Sequence, residues 1–151
     1  MSVRLSVEAD GHFGLDDYDR AMLWALRCVA AGRLDCPSLR RTFLDLCGRR
    51  ADQLLCGLLV MVRLLADRRV GGLRLHLPGS SDMSADERAI LSALARLREE
   101  REAGGAAAEL AGRLGVRADG SLTAALLYLR DLFCGGVAAQ AARPVLVAAA
   151  H

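Results

Sequence analysis

Lysine is missing from this chain. All twenty cationic residues among its 151 are arginine. A GxxxxGKS/T phosphate loop is thereby excluded, and no lysine side chain is offered for acetylation or ubiquitin attachment. Aromatic residues number only six, and β-branched residues are few, so composition runs against a large sheet. The five cysteines form no CxxC pair, and His12, His76 and His151 show no ligand spacing, so no metal or other cofactor is expected. The longest apolar run, Leu54 to Val62, is far too short to cross a bilayer. The first fifteen residues are polar and acidic rather than signal-like. Together these absences predict an intracellular, cytoplasmic protein with reduced thiols and no membrane association.

Leucine and alanine dominate what is present, and both favour helix. Net charge is only +2, but it is unevenly spread. Glu8, Asp10, Asp16, Asp17 and Asp19 make the start acidic, whereas the arginines between 33 and 74 make the middle basic. The two regions are expected to pair, within one copy or between two.

Hydrophobic periodicity divides the chain into helices. Asp16 or Asp17 caps a first helix reaching about Ala31, with Met22, Leu23, Leu26 and Val29 inward and Trp24 at the edge of that face. A second helix over about 38–46 follows Pro37 and closes at Gly48. Asp52 opens a third, in which Leu54, Leu55, Leu58, Leu59, Val62 and Leu65 cover one face while Cys56, Val60, Met61 and Leu64 cover much of the rest. A helix apolar nearly all round is expected at the centre of a bundle, wrapped here by the first, fourth and last helices. Ser84 and Glu87 form a capping box for a fourth helix reaching about Glu102 and closed by Gly104 and Gly105. A shorter helix covers 106–115, and a final one runs from Gly120 or Ser121 to Gly135 and Gly136.

Two segments alternate instead. In 2–8, Val3, Leu5 and Val7 oppose Arg4, Ser6 and Glu8; in 73–77, Leu73, Leu75 and Leu77 oppose Arg74 and His76. They are expected to pair as a minor two-stranded β element. The expected fold is therefore all-α in the main, an irregular bundle of about six helices. It forms one globular domain over 1–151, with no structure assigned from about residue 144.

No arrangement for catalysis is evident. Nucleophilic chemistry needs a Ser or Cys with a His in reach, and acid–base work needs carboxylates that converge. Asp16 and Asp17, like Glu99 and Glu100, are adjacent in sequence and so occupy different helix faces. The expected role is that of a non-catalytic interaction or regulatory module with a protein partner, able to self-associate through leucine-rich helix faces. Arg40, Arg41, Arg49 and Arg50 are the candidate surface for an acidic partner. The alternative comes from 84–137. There a capped helix precedes a short helix in which Leu110, Ala111, Leu114, Gly115 and Val116 follow the pattern xELAxxLGV, and a last helix comes after. This order resembles the helix-turn-helix of winged-helix transcription regulators. The resemblance implies DNA contacts from Arg113, Arg117, Thr123 and Arg130. The last helix departs from it, being mostly Leu and Ala where a recognition helix shows polar side chains. The two roles make different demands: DNA binding requires those four residues exposed together, a groove binder requires exposed apolar side chains between helices.

Overall fold

Local chemistry starts and stops each helix where the sequence provides for it. A computed structural model of the chain describes residues 15–141, with side chains over 15–133. It contains six α-helices: α1 (Asp17–Ala30), α2 (Pro37–Cys47), α3 (Ala51–Arg68), α4 (Ala85–Glu99), α5 (Ala103–Leu114) and α6 (Gly120–Ala141). A single 3-10 turn, Gly48–Arg50, joins α2 to α3. The all-α fold is thus as expected, and the described residues contain no strand.

The Asp16 carboxylate accepts the Asp19 N–H at 2.7 Å to cap α1. Pro37 sits in the first turn of α2, and Gly48 at φ 60° ends it. Ser84 and Glu87 complete both halves of the capping box on α4, at 3.0 and 2.8 Å. Two boundaries differ from expectation. α4 stops at Glu99, and Arg101 turns the chain with φ 57°, so Gly104 and Gly105 fall inside the first turn of α5. α6 continues through Gly135 and Gly136 to Ala141. Glycine in a helix costs about 1 kcal/mol against alanine, which is too little to stop a helix followed by alanines.

α3 and α6 run antiparallel, a register fixed at three points. Arg50, just before α3, reaches the Asp131 and Leu132 carbonyls; Gly57 faces Tyr128 and Leu129; Arg68 pairs with Asp119 at 2.7 Å. A Cβ on Gly57 would lie 2.8 Å from Leu129 Cδ2, so the glycine permits the close approach. Leu58, Met61 and Leu65 of α3 are fully buried. Cys56 and Val60 are exposed, however, so α3 is a core helix with one face open. It packs on α1, α2 and α6, while α4 packs instead on α1, α5 and α6. Trp24 is buried rather than at an edge.

The minor β element is not observed. Residues 2–8 lie outside the described residues, as do the chain beyond 141 and the Cys134 side chain. Residues 73–77 have no regular secondary structure; side chains at the start of α4 accept the Arg74 and His76 N–H groups. Nor do the acidic residues of α1 meet the basic middle: Asp16 and Asp19 pair with Arg98 of α4, and Asp17 with Arg20.

Candidate functional site

The segment joining α3 to α4 crosses the molecule as an extended strap, and a buried ion pair pins it. Arg27 of α1 is nine-tenths buried and Glu87 of α4 fully so. The guanidinium meets the carboxylate through two atoms, Nε to Oε1 at 2.8 Å and Nη2 to Oε2 at 3.1 Å. Two further N–H groups donate to the strap, to the carbonyls of Ser80 at 2.8 Å and of Asp82. Glu87 also accepts the backbone N–H groups of Ser84 and His76, at 2.8 and 2.9 Å. Burial alone would raise the Glu87 carboxyl, but Arg27 and these two N–H donors outweigh it and hold the group below its ordinary range.

Residues 73–77 are held along one edge. Asp86 Oδ2 accepts the Arg74 N–H at 2.8 Å, and the Ser84 hydroxyl donates to the Arg74 carbonyl at 2.6 Å. Asp86 is itself anchored by Arg69, whose Nη1 lies 2.6 Å away. In extended chain, successive residues turn their N–H and C=O groups to opposite edges. Arg74 and His76 therefore face α4, while Leu73 and Leu75 present the other edge. Their backbone groups make no hydrogen bond among the described residues.

Beside the strap, facing α3, lies an open groove of about 500 Å³. Leu59, Val62 and Ala66 of α3 form one wall, Leu73 and Leu75 the other, and Val29 and Ala30 of α1 the end. Arg63 is its only charged lining residue, and has no hydrogen-bond or ion-pair partner among the described residues. Three apolar residues close in sequence to lining residues are also exposed: Val70 at 96%, Leu77 at 73% and Val60 at 52%.

The residues singled out from sequence are placed differently from one another. Arg40 pairs with Asp52 at 3.1 Å, and Arg50 reaches the α6 carbonyls of Asp131 and Leu132 at 3.4 and 3.3 Å. Arg41 and Arg49 are exposed and without a partner among the described residues. Of the four DNA candidates, Arg113 is exposed beside Glu109 and Arg117 is exposed with no partner among the described residues. Thr123 is half-buried and donates to the Asp119 carbonyl, and Arg130 pairs with Asp131. Gly115, at φ 64°, does close α5 into a tight corner with α6. Yet Leu122, Leu126 and Leu129 of α6 are fully buried.

Ser84, His76 and Asp86 gather around a second pocket of about 560 Å³ on the α4 side of the strap. The Ser84 hydroxyl caps α4 and binds Arg74, and Asp86 binds Arg69 and Arg74, whereas the His76 imidazole makes no hydrogen bond among the described residues. The four thiols among the described residues are free, with Cys28 buried, Cys36 and Cys47 half-buried and Cys56 exposed. The exposure of Cys56 corrects its expected burial. Burial pushes the Cys28 thiol up to about 11. Among the described residues no cluster suited to a metal ion occurs, and no helix is long and apolar enough to cross a membrane.

The groove residues were not singled out by sequence reasoning, which read Leu59 and Val62 as core. Arg27 was also missed, although it stands one turn after Leu23 on the inward face of α1, a position that calls for a buried carboxylate partner. Comparison with models of known protein families, with curated proteins and with solved structures finds no match.

Proposed function

We propose that the protein is a non-catalytic interaction module that takes a segment of a partner protein into the groove between α3 and the strap. The supporting observation is the open apolar groove, which carries one cation, Arg63, without a partner among the described residues, while Val70 and Leu77, close in sequence to lining residues, are exposed. Covering a side chain of this size contributes about 1.5–3 kcal/mol, so an exposed Leu and Val beside a groove favour a cover. DNA binding draws less support. Only Arg113 and Arg117 of its four candidates stand exposed, and the leucines of α6 serve the core.

The test is selection from a displayed library of short random peptides against the full chain. Selected peptides should bind with micromolar affinity and lose about tenfold or more on Ala66→Arg, which fills the groove. Ala108→Arg, on the exposed face of α5, is the control and should change nothing. Peptides that bind A66R as tightly as the parent chain would overturn the assignment.

A further inference from the structure

Resting on that reading, we infer that the groove's occupant is an extended strand of a partner protein, which pairs with the free backbone edge of Leu73 and Leu75 and carries a carboxylate to Arg63. Three observations carry this choice over a docked helix. The first is the division of the strap's backbone. Asp86, Glu87 and Ser84 hold the Arg74 N–H and C=O and the His76 N–H, whereas both N–H and both C=O groups of Leu73 and Leu75 are unengaged among the described residues. A strand laid along that edge satisfies these four groups, and a helix satisfies none.

The second observation is rigidity. The strap is tied to α1 through the Arg27 bonds to Ser80 and Asp82, and its Arg74 N–H is held by Asp86, which Arg69 at the end of α3 anchors. An edge fixed before binding loses little conformational freedom when paired, which is what short strand additions require. The third is the pattern of side chains. Leu73 and Leu75 line the groove opposite Leu59, Val62 and Ala66, so an added strand places every second side chain among apolar atoms. Arg63, exposed at the groove and without a carboxylate partner among the described residues, sets the charge of the partner: a guanidinium pairs bidentately with a carboxylate, which favours an acidic strand. Asp67 lies one turn further on but does not line the groove.

A designed probe separates the strand from the groove. The probe is a short blocked peptide alternating valine and threonine, with a glutamate at each end. Its twin is N-methylated at alternate amides on the pairing edge, which removes ladder donors while leaving the side chains unchanged. Measured against the full chain, the unmodified peptide should bind at least about tenfold more tightly than the methylated one. On binding, the Leu73 and Leu75 amide resonances should shift downfield and exchange more slowly, while those of Arg74 and His76 stay as they were. Arg63→Glu should weaken binding, and a peptide ending in lysines should regain it. Equal binding by the two peptides, still abolished by A66R, would overturn strand pairing and leave the groove standing. No binding by either peptide also overturns the strand, and the library selection then decides the groove by itself. Leu73 and Leu75 amides already protected in the free chain would mean that its own residues occupy the edge, and would likewise overturn the proposal.

Discussion

Replacing Arg27 by methionine tests the ion pair that organises the strap. Methionine keeps an unbranched apolar stem of similar reach and removes the guanidinium. Four hydrogen bonds go with it, two to Glu87 and one each to Ser80 and Asp82. The two carbonyls are only partly buried and regain water, but Glu87 stays fully buried with two backbone donors left. Breaking a buried pair from one side costs about 3–5 kcal/mol. The two surviving donors put the expected loss near the lower bound, about 3 kcal/mol, a large share of the roughly 5–15 kcal/mol available to a domain.

Urea unfolding followed by far-ultraviolet circular dichroism measures this loss, and acid sharpens it. In the parent chain the folded carboxyl titrates below its unfolded value, so its contribution is present above the ordinary carboxylate range and is lost as pH falls through the lowered folded value. Without Arg27 the carboxyl loses its largest lowering influence and moves up from the parent's depressed position, against two remaining backbone donors. Acid then costs the parent chain more than Arg27→Met, and the deficit narrows as pH falls through the carboxylate range. Adding Glu87→Gln, which keeps the capping geometry without the charge, should recover part of the loss. A loss below about 1 kcal/mol at neutral pH, or a deficit that widens in acid, would refute the reasoning.

Other consequences follow from packing. Leu58→Ala, at a position with no solvent exposure, should cost about 2–5 kcal/mol in the same unfolding assay. Gly57→Val drives a branched side chain against Leu129 and Tyr128, and should cost about 1–3 kcal/mol by forcing α3 and α6 apart. Thiol titration with an aromatic disulfide should react at Cys56 rapidly, so Cys56→Ser removes one fast equivalent. Cys28→Ser should leave the fast amplitude unchanged, because Cys28 is buried and its thiolate is disfavoured.

The helices were legible because their signals are local. The Ser84–Glu87 box, Pro37, Gly48 and the 3.6-residue spacing of leucines each act within a turn or two. Gly104 and Gly105 misled because a glycine pair breaks a helix only when nothing downstream rewards continuation. Here Ala106 and Ala107 bury against the core and extend α5 back through both. The 73–77 alternation was read as one strand of a pair, and the described residues contain no strand there. Alternation reports which side chains are buried, and says nothing of what engages the backbone. The carboxylates of Asp86 and Glu87 did so, at separations of 12 and 11 residues that no periodic pattern spans. The groove stayed hidden for a related reason. Leu59 and Val62 carry the same signature whether a neighbouring helix covers them or an open channel does. Of the two surfaces named from sequence, neither presents all of its cations free, because Asp52, Asp131 and the α6 carbonyls engage Arg40, Arg130 and Arg50.

Amide hydrogen exchange across 73–77 in the free chain, resolved residue by residue, is the most direct measurement of the divided strap on which the binding edge depends. Arg74 and His76 should exchange slowly, protected by Asp86 and Glu87, while Leu73 and Leu75 exchange near the rate of unstructured chain. Uniform rates along the segment, whether all fast or all slow, would contradict it.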